Sequence, residues 1–104
     1  MSVMTKQEIK HTLLEAIRRA PHFADMRSVA LFGSYVAGQP TEDSDVDVLI
    51  DFDPNASIGF FALSDIKASL QAALDKPIDL LTPQAISTYF RDAVLAQAEY
   101  VYEK

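Results

Sequence analysis

The chain has 104 residues, a formal net charge of −6 and no cysteine. That length suits one compact domain, expected to span residues 1–104, and the lack of cysteine excludes a disulfide framework and thiolate chemistry. The nine Lys and Arg are spread along an acidic chain, which argues against direct nucleic-acid binding. A nucleoside triphosphate remains compatible with that charge if divalent metals bridge the two sets of negative groups.

Hydrophobic residues make up 49% and charged residues 23% of the chain, enough apolar material for an ordinary core. No apolar stretch is long enough for a spanning helix, so no membrane association is expected. The opening MSVMTKQEIK lacks the apolar centre of a secretory signal. A cytoplasmic protein is the resulting expectation.

Thr5 to Ala20 reads as a helix. Thr5 and Glu8 form a capping-box pattern, while Ile9, Leu13, Ala16, Ile17 and Ala20 make one apolar stripe that Pro21 stops. His22 to Arg27 is a connector, and SVALF (Ser28 to Phe32) is a short buried strand. It runs into Gly33-Ser34. Tyr35 to Ser44 is a polar loop with a helical turn at Tyr35 to Ala37, punctuated by Gly38 and Pro40; Glu42 and Asp43 read as loop solvation. DVDVLIDF (Asp45 to Phe52) is a second strand. DPNA (Asp53 to Ala56) is a turn, and Ser57 to Leu74 a second long helix with Phe61, Leu63, Ile66, Leu70, Ala73 and Leu74 as its stripe. IDLL (Ile78 to Leu81) is a third strand. Thr82 and Pro83 look like the cap and first position of another helix, with Ile86, Tyr89, Phe90, Ala93, Val94 and Gln97 along its inner side. Glu99 to Lys104 closes the chain as an edge strand. The aromatic group Phe60, Phe61, Tyr89, Phe90, Tyr100 and Tyr102 is expected to be mostly core, with a partner or dimer surface the alternative for some of it. The fold class is α/β (α+β): a small mixed sheet with helices packed on one face.

Strand phase identifies the chemistry. In DVDVLIDF, Val46, Val48 and Ile50 share one side and Asp45, Asp47, Leu49 and Asp51 the other. In IDLL, Asp79 takes the phase opposite Ile78 and Leu80. Two carboxylates at the entry of a buried strand repel each other and are costly to desolvate unpaired. If the two strands are neighbours, Asp45, Asp47 and Asp79 converge. An all-oxygen set of that kind suits Mg²⁺, or Mn²⁺, rather than zinc. A pair of such ions can hold the attacking and leaving oxygens of a phosphoryl or nucleotidyl transfer. Gly33 allows close approach of backbone to a ligand, and Ser34 with the following amides can donate to phosphate oxygens. Neither the dinucleotide fingerprint nor a P-loop is present.

Gly-Ser, a ten-residue interval, Asp-x-Asp and a third Asp on a later strand together resemble the polymerase-β-type nucleotidyltransferase superfamily. The likeness is closest to its minimal nucleotidyltransferase (MNT) domains. It spans nearly the whole chain, through SVALFGS, SDVDVLIDFDP, KPIDLLTP and YFRDAVLAQAEYVYEK. The resemblance implies a nucleotidyltransferase fold, with Gly33 and Ser34 on the triphosphate of ATP and Asp45 and Asp47 holding two metal ions. Asp79 would complete the catalytic metal site and assist deprotonation of the acceptor hydroxyl. It also implies a HEPN-domain partner, a ribonuclease toxin whose tyrosine receives AMP, which makes the MNT protein an antitoxin. A homo-oligomer is left open. The sequence departs from the family where a basic residue often follows Gly-Ser: here Tyr35-Val36-Ala37 carries no cation, and Lys67, Lys76 or Arg91 are the substitutes to consider. The competing functions are a weakly catalytic or non-catalytic antitoxin acting by stoichiometric binding, and a small-molecule nucleotidyltransferase, for which so short a chain leaves little room for an acceptor pocket.

Overall fold

The computed structural model describes residues 5–38, 40, 41 and 44–104. Of the polar loop, Gln39, Glu42 and Asp43 lie outside the described residues, as do the first four positions of the chain.

Helix α1 spans Lys6–Arg19 and begins with the capping box in full: the Glu8 amide donates to the Thr5 hydroxyl at 3.1 Å, and the Thr5 amide donates to the Glu8 carboxylate at 2.9 Å. These bonds satisfy two donors that the first helical turn leaves without partners and hold the Glu8 carboxyl below its ordinary range. Replacing Thr5 by alanine is expected to cost about 1 kcal/mol, read as a lower urea midpoint at unchanged slope. Ile9, Leu13, Ala16 and Ile17 form the buried stripe.

Strand β1 (Met26–Phe32) starts two residues earlier than SVALF suggested, after a 3₁₀ turn over Phe23–Asp25. It ends at Gly33, which caps a single helical turn, α2 (Ser34–Ala37). Strand β2 is Val46–Phe52, α3 is Phe60–Leu74 and β3 is Ile78–Leu81. Helix α3 begins three residues later than expected because Gly59, not Ser57, is its N-cap. The last helix differs more. Thr82-Pro83 opens only a 3₁₀ turn, Pro83–Ala85; the helix proper, α4, is Thr88–Gln97, capped by Ser87, whose hydroxyl accepts from the Tyr89 amide. Strand β4 (Glu99–Glu103) closes the fold.

The sheet order is β3-β2-β1-β4. Strand β1 pairs antiparallel with both β2 and β4, whereas β2 and β3 are parallel, with Val46 opposite Ile78 and Asp47 opposite Asp79. The sheet is therefore mixed, as expected. Val29, Leu31, Val46, Val48, Ile50 and Ile78 face α1 and α3, where Ile66, Leu70 and Leu74 complete the main core. Each such side chain contributes roughly 1.5–3 kcal/mol when fully buried. The other face is not left bare. Ala30, Leu49 and Ile86 form a second, smaller cluster with Val94, Leu95 and Ala98 against it, so α4 covers the part of that face beyond Leu49. Strand β4 is held by Lys6 and Lys10 of α1, whose ammonium groups reach the Glu99 carboxylate at 2.8 and 3.3 Å. Among the described residues, no helix is long and apolar enough to cross a membrane.

Candidate functional site

The parallel register of β2 and β3 decides where the acidic residues meet. Asp47 and Asp79 are the second residues of their strands and stand directly opposite each other. Both belong to the face that carries Leu49, but they sit beyond the end of the small cluster formed by Ala30, Leu49 and Ile86. The aliphatic phase buries one side of each strand, and the cover over the other side stops one step short of the carboxylates. Asp47 is consequently half-buried, while Asp79 stays exposed. Asp45 lies just before β2 and is exposed. The Val46 amide donates to the Pro77 carbonyl at 2.9 Å, which fixes the two strand entries side by side.

Asp47 is the electrostatic centre of this edge. Its carboxyl is pushed up from the ordinary 3.8 to about 6, chiefly by desolvation, then by the charges of Asp79 and Asp45 and by a hydrogen bond with the Asp79 carboxyl. A bond donated by the Ser34 backbone amide opposes that rise. Two carboxylates set this close disfavour each other's charge, which adds to the desolvation of Asp47. Among the described residues, no three Asp, Glu, His or Cys side chains are gathered closely enough to hold a metal ion, so the expected convergence of Asp45 with Asp47 and Asp79 is incomplete. The structure joins Asp47 to Asp79 directly and keeps Asp45 within electrostatic reach.

Gly33 is tied to the same carboxylate. Its φ of +76° lies where side chains are rarely tolerated, and an added Cβ would overlap the Asp47 carboxylate, with Cγ at 2.7 Å. The glycine is thus needed first to seat Asp47 under the turn. The Ser34 backbone amide donates to the Asp47 carboxylate, a role separate from that expected of the Ser34 hydroxyl and the amides after it. That backbone contact has no sequence signal, because every residue but proline carries the same donor.

Two expectations about cations change. Tyr35 follows Ser34 but is only 3% exposed and belongs to the main core. A cation there would have pointed inward, so its absence leaves no gap beside the carboxylates. Arg91 is committed elsewhere: its guanidinium donates to the carbonyls of Pro83 at 2.9 Å, Ile86 at 3.1 Å and Gln84 at 3.4 Å, clamping the turn ahead of α4. Lys67 is exposed on α3, and Lys76 directly precedes Pro77 at the strand entry that borders Asp45. The Tyr35 hydroxyl is buried with no hydrogen-bond partner among the described residues. Tyr35→Phe is accordingly expected to keep or raise stability, by up to about 1 kcal/mol, in thermal unfolding.

A mixed four-stranded sheet whose paired carboxylates stand under a glycine turn defines the class: this is a nucleotidyltransferase fold. The sequence profile of the family described as polymerase beta, nucleotidyltransferase matches residues 8–104, and the chain belongs to that family. Protein adenylyltransferase MntA of Thermococcus cleftensis is 32% identical over 101 residues, which is 97% of this chain and 100% of the relative. Among solved structures, a toxin–antitoxin complex with AMP-PNP contains a chain matching 91% of this one, with 73% of that chain covered, at a TM-score of 0.72 and 23% identity. A tri-AMPylated HEPN toxin of Shewanella oneidensis in complex with its MNT antitoxin gives a TM-score of 0.67 at 21% identity, covering 96% of this chain and 74% of that one.

Proposed function

We propose that this chain is a metal-dependent nucleotidyltransferase that moves AMP from ATP onto a hydroxyl acceptor, a tyrosine of a HEPN ribonuclease toxin, and so serves as that toxin's antitoxin. One observation carries the reading: Asp47 and Asp79 are paired across parallel strands beneath Gly33, in a chain aligned end to end with a protein adenylyltransferase. The AMP-PNP and HEPN complexes of the structural relatives support ATP and a HEPN partner.

The donor set fits a divalent cation of the Mg²⁺ or Mn²⁺ type. It is all oxygen; Asp47 is raised first by desolvation and then by the charges of Asp79 and Asp45, and a hard cation would relieve that carboxylate repulsion. Asp45, Asp47 and Asp79 would hold the ions. When bound, the metals neutralise the phosphates and the developing charge of the transfer. The protein's own tasks are separate. Gly33 keeps the turn close to Asp47, and the Ser34 amide orients that carboxylate. Asp79, exposed on the outer strand, would accept the acceptor's proton. The acceptor oxygen bonds to the α-phosphorus as the bond to the bridging oxygen breaks, and pyrophosphate leaves.

The test is transfer of label from α-labelled ATP to a HEPN-domain protein, with Mg²⁺ and with EDTA. Label should appear on a toxin tyrosine only with metal. Absence of label from folded protein with every acceptor tried rejects the reading. The Asp45→Ala/Asp47→Ala variant separates catalysis from binding: if it still neutralises the toxin, stoichiometric contact is sufficient.

A further inference from the structure

Of the six aromatic residues expected to be mostly core, Tyr102 packs against it, but Phe60, Phe61, Tyr89, Phe90 and Tyr100 are exposed. Phe60 and Phe61 are 76% and 83% exposed at the start of α3, and Tyr89 and Phe90 are 92% and 65% exposed at the start of α4. Helix α3 buries Ile66, Leu70 and Leu74, and α4 rests on Val94 and Leu95, so the first turn of each helix overhangs the core. Side chains of this size rarely remain exposed in pairs without a partner surface.

Topology gathers them at one end. Because β2 and β3 are parallel, the connections leaving both strands emerge at the same edge of the sheet, and each leads into one of these helices. Between the connections lies a groove of about 320 Å³ whose lining includes Asp51, Pro54, Ile58, Leu63, Thr82 and Gln84. Leu63 is one turn beyond Phe60, and Gln84 belongs to the 3₁₀ turn that Arg91 ties to α4. The carboxylates Asp47 and Asp79 lie toward the opposite end of the same strands, by strand rise about 16 Å from Asp47 to Phe52 and about 10 Å from Asp79 to Thr82.

The charge around this end is acidic. Asp65 follows Phe61 by one turn and Asp92 follows Tyr89 by three residues, both exposed, and Asp51 lines the groove. Asp53, also on the groove, is paired with Lys104 at 2.6 Å, and the nearby Arg91 guanidinium is turned onto backbone carbonyls; exposed Lys67 lies two turns along α3, while Asp51, Asp65 and Asp92 keep the rim acidic. We infer that this aromatic, acid-rimmed end is a docking surface for a protein partner that presents lysine or arginine side chains beside aliphatic ones. A second copy of this chain, itself at −6, would bring like charge to the rim. The inference rests on the reading that the chain acts on a protein partner and extends it: the partner is anchored at the end away from the transfer site, so holding it and modifying it are separable.

The test titrates the HEPN partner against wild type, Phe61→Ser/Tyr89→Ser and Asp65→Lys/Asp92→Lys by calorimetry at two salt concentrations. Circular dichroism and AMP-PNP binding serve as controls that should not change. Loss of two central aromatic contacts should weaken binding by about 30-fold or more. The charge reversal should weaken it by about tenfold and flatten its salt dependence. If wild type binds the partner and the aromatic variant binds equally well, the docking surface is wrong while the function stands. If wild type does not bind the partner at all, both fail. Wild-type self-association in sedimentation that the aromatic variant loses would also overturn the inference, in favour of a dimer face.

Discussion

Replacing Asp47 by asparagine should make the metal-free protein more stable while removing its activity. The carboxyl is held at about 6, above its ordinary 3.8, by desolvation and by Asp79 and Asp45. A group whose folded value is raised in this way is best accommodated protonated. Its contribution is fully present below about pH 3.8 and is lost as the pH climbs through about 6. The rise corresponds to no more than about 3 kcal/mol, and partial exposure screens it to about 1 kcal/mol. Asparagine keeps an acceptor for the Ser34 amide, gains a donor toward Asp79 and carries no charge. In EDTA, the variant and wild type should have similar urea midpoints near pH 4, with the variant gaining between pH 4 and 6 and keeping its lead above that. Equal stability across the range would show that Asp47 is not under repulsion. Added Mg²⁺ should raise the wild-type melting temperature and leave the variant unmoved. Transfer should fall by at least about a hundredfold, the order seen when one charge-stabilising group is removed.

Gly33→Ala is the second large effect, and it acts on fold and site together. The φ of +76° and ψ of −145° lie in a region that side chains rarely adopt, at an expected cost of roughly 1–3 kcal/mol. The new Cβ also collides with the Asp47 carboxylate, which must swing away and lose its bond from the Ser34 amide. A loss of about 2–3 kcal/mol is expected from the two together, which for a domain this size lowers the melting temperature by about 10 °C or more. A double-mutant cycle divides the two causes. In an Asp47→Ala background the collision with the carboxylate is gone but the backbone strain remains, so Gly33→Ala should cost less there without becoming neutral. An unchanged cost would mean that the carboxylate does not press on the glycine. Transfer should be lost in the single variant, because Asp47 no longer faces Asp79.

Local signals were legible wherever a short-range rule applied. The Thr5–Glu8 box, the stop at Pro21 and the two-residue alternation of DVDVLIDF all appear as read. The Thr82-Pro83 pair misled because a cap followed by proline suits a 3₁₀ turn as well as a helix. Only Ser87, with its hydroxyl on the Tyr89 amide, and Arg91, with its guanidinium on the carbonyls behind it, show where α4 begins. The aromatic residues misled for a related reason: periodicity tells which positions share a helical face, but not whether that turn reaches past the sheet it packs on. Tyr35 shows the converse, a polar-tipped residue in a loop-like segment that the single turn of α2 directs inward.

By itself the sequence determined the phase of each acidic residue, because an extended backbone sends successive side chains to opposite faces. It thereby singled out Asp45, Asp47 and Asp79, and the position of Gly33 at a strand end singled out the turn, before any fold was known. Only the tertiary structure decided that β2 and β3 run parallel in a register that sets Asp47 against Asp79, that the Ser34 amide serves a carboxylate, and that position 35 belongs to the core. Each of these depends on contacts between segments distant in the chain, and short-range spacing carries no information about such contacts.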